Sequence, residues 1–199
     1  QEFLKDSKIA ADRLEHIIAG IMEANDLQGG IERGRFQPVD IIKTTEEAID
    51  KEQELAKEKK VTIGLKKPDT KIPSIIGHEA FIKSALEKII NNAIWYTPEG
   101  EVEISIEYQE KDKTTATDDS VSITTRDTGI GLTEDDKKIL FKQFSKGRGS
   151  KTLNVNSSGL GLYIAKRVAD IHNGSLTAQS DGEDRGSTFI LTLPVVQKF

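Results

Sequence analysis

The residues with the most chemical content lie between Asp127 and Gly161. The stretch opens with Asp127-Thr128-Gly129-Ile130-Gly131 and closes with Ser158-Gly159-Leu160-Gly161. Between these turns run Phe141, Phe144 and the basic residues Lys146, Arg148 and Lys151. Glycines adopt positive φ and let the main chain come close to a ligand. The second glycine pair opens an apolar, helix-like run from Leu160 to Ile171. A helix start offers free N–H groups and a partial positive charge to a phosphate. A carboxylate ahead of the first turn can accept a hydrogen bond from an exocyclic amine. Together they predict a purine nucleotide site, with the base at Asp127, phosphates near Gly159 and Gly161, and a mobile flap between.

Helices and strands must hold these turns. Residues from about Phe3 to Leu27 read as one amphipathic helix, with Leu14, Ile17, Ile18, Ile21 and Met22 on one face. Gln28-Gly29-Gly30 ends it. Its stripe either packs on its own domain or, the reading favoured here, forms half of a dimerising helical hairpin. A short extended link at Phe36–Val39 precedes a second helix to Lys59, and His78 to Trp95 forms a third. Val61–Leu65, a very short piece at Ile75-Ile76, Val102–Ile106, Val121–Thr125, Ser175–Ser180 and Thr188–Leu193 read as strands. Lys111 to Asp119 is a polar hairpin loop, and Thr133 with Asp136 forms a capping-box variant opening a short helix. Helices interleaved with antiparallel-type strands predict an α+β fold, a two-layer α/β sandwich with helices on one face of a mixed sheet, preceded by one long helix. The expected division is 1–33, a partial dimerisation helix and linker, and 34–199, the main domain.

Composition narrows the function. The 199 residues carry a net charge of −5, with 36% hydrophobic and 31% charged residues, which fits a globular protein rather than a nucleic-acid binder needing a basic face. No cysteine is present, so disulfides and thiolate metal sites are excluded. No apolar run approaches a membrane span, so membrane contact is expected only through regions outside this sequence. The chain begins at Gln1, so it reads as a fragment.

Five motifs occur in one order: Asn91-Asn92-Ala93-Ile94-Trp95-Tyr96, the Asp127 turn, the Phe141/Phe144 pair, the Gly159/Gly161 turn, and Gly186-Ser187-Thr188-Phe189. Singly each has a plain explanation: Asn92 as a helix-solvating amide, Asp127 as an Asx turn, the phenylalanines as core, the cations as solvated surface. In order, they resemble the N, G1, F, G2 and G3 boxes of sensor histidine kinases. These belong to the GHKL superfamily, which also includes gyrase B, MutL and heat-shock chaperone ATPases, and whose ATP-binding fold is the Bergerat sandwich. The resemblance covers about Phe36 to Pro194.

The resemblance implies a role at each matching position. Asn92 would be the catalytic-site residue holding Mg²⁺. Asp127 would bind the adenine amine in a pocket shaped by Gly129 and Gly131, with Thr188 on its polar floor. Tyr96 would border the ribose and phosphates. Lys146 and Arg148 would reach the phosphates from the lid, and Gly159, Leu160 and Gly161 would place helix N–H groups on them. Phe141 and Phe144 would anchor the lid. The implied cofactors are ATP and Mg²⁺. The implied partners are a second copy, joined as a homodimer through upstream dimerisation helices, and a response regulator, in a cytoplasmic setting.

Two positions depart from the pattern. Lys88, one turn before Asn92, stands where the family often has Asn and where related ATPases have a water-activating Glu. A protonated lysine is neither a general base nor a Mg²⁺ ligand, which argues against a gyrase-like hydrolase. Trp95 stands where a phosphate-contacting Lys is common. None of His16, His78 and His172 sits in an acceptor-like segment, so the phosphoacceptor is expected upstream of Gln1. The competing readings are a nucleotide-binding interaction module without catalysis, which Lys88 and Trp95 motivate, and a GHKL protein-serine kinase.

Overall fold

The computed structural model describes residues 11, 14–15, 17–26, 36–68, 70–110, 118–155 and 157–196, with Lys151 by its backbone alone. Residues 17–26 are helical (α1), and the rest of the expected Phe3–Leu27 helix lies partly outside the described residues. The following elements are β1 (Gln37–Val39), α2 (Ile41–Lys59), β2 (Val61–Lys66), β3 (Ile75–Gly77), α3 (Glu79–Trp95), β4 (Gly100–Gln109) and β5 (Ser120–Asp127). Then come α4 (Glu134–Ile139), a 3-10 turn at Arg148–Lys151, α5 (Gly161–Ile171), β6 (Ser175–Gln179) and β7 (Ser187–Pro194). The presumed link at Phe36–Val39 is largely a strand, because β1 pairs antiparallel with β3. The tip of the expected Lys111–Asp119 loop, 111–117, lies outside the described residues.

The main sheet has strand order β2-β4-β5-β7-β6. Its β2–β4 pair is parallel and the other pairs are antiparallel, so the sheet is mixed. The expected mixed sheet is present: between β2 and its one partner β4 the chain runs through β3 and α3, and a crossover of that length permits parallel pairing. Alternation decides what each strand buries. Val102, Ile104 and Ile106 of β4, Val121 and Ile123 of β5, and Phe189, Leu191 and Leu193 of β7 are buried. These rows end in two polar residues, because Asp127 lies opposite Ser187 in the register.

Helices α2, α3 and α5 cover this face. Ile82, Ala85, Leu86, Ile89, Ile90, Ala93 and Ile94 of α3 recur at helical spacing and are buried. Cutting one such isoleucine to alanine costs about 2–5 kcal/mol. Asp40 starts α2 by accepting the Ile42 and Lys43 N–H groups at 3.1 and 3.2 Å. Lys60 in the left-handed conformation stops it. The expected box at α4 is present: Thr133 Oγ1 accepts the Asp136 N–H, and Asp136 accepts the Thr133 N–H in return. Among the described residues no helix is long and apolar enough to cross a membrane.

Helix α1 does not pack its apolar stripe on its own domain. Leu14, Ile18, Ile21 and Met22 of the apolar stripe are exposed. The face carrying Gly20, Glu23 and Ala24 turns inward: a Cβ on Gly20 would meet Leu160 Cδ1 at 3.0 Å, and Ala24 is buried. A small residue permits that close approach, so contact follows side-chain size rather than apolar content.

Candidate functional site

A cleft of about 820 Å³ opens between α3, the turn after β5, the segment after α4 and the start of α5. That volume suits a nucleotide-sized ligand. The first glycine turn forms one wall. The Ile130 N–H donates to Tyr96 O at 3.0 Å, and the Gly186 N–H donates to Gly129 O at 2.9 Å. These bonds fix the β5 turn against the C-terminus of α3 and the β7 entry. The turn needs its glycines: a Cβ on Gly129 would strike the Tyr96 carbonyl, and Gly131 has φ +66° with the Gly182 carbonyl against it.

Asp127 sits beneath this wall, 3% exposed. Its Oδ1 accepts the Gly129 N–H at 2.9 Å and the Ser187 N–H at 3.1 Å, and its Oδ2 accepts the Ser187 hydroxyl at 2.6 Å. No cation is paired with it among the described residues. Burial pushes its carboxyl above the usual range, while these three donors pull it back. A carboxylate has about four lone-pair sites, so acceptor capacity remains for one more donor.

Ser187 lines the cleft and Thr188 does not. This corrects the expectation for Thr188: it pairs with Arg126 one residue along β7, on the opposite face from Ser187. The signal was available, since an inward Phe189 requires an inward Ser187 two residues earlier.

On α3, Asn91, Asn92, Trp95 and Tyr96 all line the cleft. Asn91 donates to Glu52 Oε2 at 2.7 Å. Burial pushes the Glu52 carboxyl up, and the Asn91 bond opposes it. The Asn92 side chain has no hydrogen-bond partner among the described residues, which leaves its amide oxygen uncommitted. Burial, and then the charge of Asp136, push the Tyr96 phenol up. Trp95 lies beneath Lys59 Nζ, 3.8 Å from the ring centroid, so a cation stands at this corner although not from position 95.

The far wall is the second glycine turn and the segment before it. Gly159 has φ +71°, and a Cβ there would lie 2.6 Å from Ser145 O. Gly159, Leu160 and Gly161 line the cleft. Leu160, the N-cap residue of the 11-residue α5, supplies no side-chain cap to the helix. Arg148 lines the cleft, with its N–H on Asp136 Oδ1 at 3.0 Å and its guanidinium on Glu183 at 2.6 Å. Lys146 is exposed and outside the lining. Phe141 packs against the core, whereas Phe144 is 53% exposed with φ +60°, so only the first phenylalanine anchors the segment.

The arrangement offers a buried acceptor that lies behind Ser187 and is not itself in the cleft lining, the N-terminus of α5 on the far wall, and one free amide oxygen between. The model of the family described as histidine kinase-, DNA gyrase B-, and HSP90-like ATPase matches residues 77–197, well over half of the chain. The chain belongs to this family. Its curated relatives include the sensor-like histidine kinase SenX3 of Mycobacterium tuberculosis, 29% identical over 98% of this chain and 45% of the relative. Another is the sensor histidine kinase MtrB of Mycolicibacterium paratuberculosis, 27% identical over 94% of this chain and 31% of the relative. The chain thus spans less than half the length of these relatives. Among solved structures, full-length ShkA in complex with AMPPNP superposes with a TM-score of 0.78 at 20% identity, over 99% of this chain and 39% of that one. The catalytic domain of histidine kinase ThkA gives 0.65 at 19% identity, over 82% of this chain and 99% of that one. The expected α+β sandwich and the histidine kinase family resemblance therefore hold for this ATPase-family domain.

Proposed function

We propose that this chain is the ATP-binding catalytic domain of a two-component sensor histidine kinase. In this reading it transfers the γ-phosphate of ATP to a histidine on a dimerisation helix outside these residues, for relay to a response-regulator aspartate. The observation that carries it is Asp127: a buried carboxylate with no cation paired to it among the described residues, positioned by Ser187 and Gly129 with acceptor capacity left over. Such a group suits the exocyclic amine of adenine. Ser187 takes the floor role assigned to Thr188. The α5 N–H groups and Arg148 suit the phosphates. Support also comes from the AMPPNP complex of ShkA and from the complex of ThkA with response regulator protein TrrA, which superposes with a TM-score of 0.71 over 98% of this chain.

Asn92 fits a Mg²⁺ ion held mainly by phosphates and water, because its amide oxygen is uncommitted and Mg²⁺ takes few protein ligands in such sites. The ion would neutralise phosphate charge. The chain itself binds and orients: α5 aligns the phosphates and Asp127 fixes the base, so catalysis is positioning. Residues 1–33 are read as part of the dimerisation region and 34–199 as the catalytic domain. The exposed stripe Leu14, Ile18, Ile21 and Met22 suits a helix of a second copy.

Calorimetry with ATP and ADP, with and without Mg²⁺, tests the site. Expected are binding of both nucleotides and a Mg²⁺ contribution that Asn92→Ala removes. Failure to bind either nucleotide would sink the proposal. A longer chain carrying the acceptor helix is expected to yield an acid-labile phosphoryl group.

A further inference from the structure

Lys88 occupies the position where the family resemblance leads one to expect an amide. It lines the cleft one turn before Asn92, and its side chain is 24% exposed. Its Nζ lies 2.9 Å from Glu23 Oε2 and donates to Ser84 Oγ at 2.9 Å. The Ser84 hydroxyl donates to the other Glu23 oxygen, Oε1. One carboxylate from α1 is thus received by an ammonium and a hydroxyl presented together on α3. That is how a small anion receptor is built.

The receptor sits at the phosphate end. Tyr96 at the α3 terminus holds the Asp127 turn, and Lys88 lies eight residues earlier, about 12 Å along the axis at 1.5 Å per residue. Its stem runs beside the α5 start: a Cβ on Gly161 would lie 3.8 Å from Lys88 Cβ. The stem is therefore beside the start of α5, at the far end of the cleft from the base, and its ammonium is held by Ser84 and Glu23.

We propose that Lys88 is a ligand of the terminal phosphate of ATP, and that Glu23 occupies it as an intramolecular stand-in when that phosphate is absent. The inference rests on the nucleotide site proposed above. Glu23 and Lys88 are each about a fifth to a quarter exposed. Breaking so sheltered a pair is costly if a charge is left unpaired, but a triphosphate brings more charge than a carboxylate to the same ammonium while Glu23 returns to water, so the exchange leaves neither charge unpaired. ATP and ADP then act differently on α1. ATP competes with Glu23 for Lys88 and loosens the docked helix, whereas ADP leaves the pair in place.

The test is calorimetric affinity for ATP and ADP of the wild-type chain, Lys88→Met and Glu23→Gln, each in Mg²⁺ and in chelator. Lys88→Met is expected to weaken ATP about tenfold, the loss of one charge-assisted contact, while ADP is little changed. Glu23→Gln, which removes the competitor without touching the cleft cation, is expected to tighten ATP about two- to fivefold and leave ADP unchanged. Equal effects on both nucleotides, or none, in these variants would overturn the assignment while leaving the nucleotide site intact. Wild-type protein that binds neither nucleotide would instead remove the site itself, and this inference with it.

Discussion

Ser187 stands opposite Asp127 in the β5–β7 ladder and gives it two hydrogen bonds, from its hydroxyl at 2.6 Å and from its N–H at 3.1 Å. The pair ends two core-facing rows that are apolar apart from Thr125 of β5. A polar pair there is costly unless satisfied, and the backbone register satisfies it without a counter-ion. The result is a carboxylate held ready for a neutral donor rather than spent on an ion pair.

Replacing Asp127 by Asn separates binding from folding. The amide oxygen can keep the Gly129 and Ser187 N–H groups, and the amide nitrogen can donate to Ser187 Oγ, which reverses its role. Stability is expected to change by no more than about 1 kcal/mol in urea unfolding. The second amide proton would face the adenine amine, donor against donor, so nucleotide affinity is expected to fall about tenfold or more by calorimetry. Unchanged affinity would mean that Asp127 does not read the base.

The two glycines of the second turn are predicted to behave differently. Gly159 has φ +71° and the Ser145 carbonyl 2.6 Å from any added Cβ. Gly159→Ala is expected to cost about 1–2 kcal/mol in backbone strain alone and to weaken nucleotide binding by displacing the segment at Ser145. Gly161 is helical, and its nearest neighbour to an added Cβ is 3.8 Å away. Gly161→Ala is expected to stabilise the fold by about 0.5–1 kcal/mol. Denaturation midpoints that move the same way for both would contradict this contrast.

Local signals made much of this legible. The α3 stripe from Ile82 to Ile94 and the Thr133/Asp136 cap follow from spacing and short-range chemistry, and both are as expected. The site's long-range features were not. Which of Ser187 and Thr188 meets Asp127 depends on a register between strands 60 residues apart. The parallel pairing of β2 with β4 depends on the crossover through α3. The inward face of α1 is decided by the room at Gly20 and by Glu23 meeting Lys88, which an apolar-stripe reading overlooks.

Asp136 joins the α4 cap to the far wall of the cleft. It accepts the Thr133 N–H at 3.1 Å and the Thr133 hydroxyl at 2.8 Å through Oδ2, and the Arg148 N–H at 3.0 Å through Oδ1. Burial raises its carboxyl, but these donors outweigh it and the pKa ends below the usual value. Its stabilising contribution is therefore present above the unfolded value of about 3.9 and is lost as pH falls through the lower folded value. Thr133→Ala is expected to cost about 1 kcal/mol, as for other lost caps. Asp136→Ala should cost more and should also raise proteolytic cleavage near Arg148. Equal cost for both variants would mean that the Arg148 bond adds nothing.

His172 supplies a pH signature of the fold rather than of the site. It is fully buried, and its Nδ1 is 2.7 Å from Val168 O while its Nε2 accepts the His78 N–H at 3.0 Å. Those partners assign the proton to Nδ1 and the neutral ring, which stacks on Phe36 at 4.9 Å between centroids. A second proton would put a donor on Nε2 against the His78 N–H. Burial is the main cause lowering the pKa; the Val168 carbonyl opposes it, and the charge of His78 adds to it. Above about pH 6.5 the ring is neutral folded and unfolded, and stability is flat. As pH falls below that value the unfolded chain takes up a proton that the native ring resists, so stability declines, by at most about 1.4 kcal/mol per pH unit from this group. His172→Leu should cost about 1–3 kcal/mol at pH 7.5 by stranding the His78 N–H, and should flatten that decline. Urea titrations at pH 7.5, 6.5 and 5.5 (values chosen around the unfolded histidine pKa of about 6.5) check both, and an unchanged slope in the variant would assign the decline to another group.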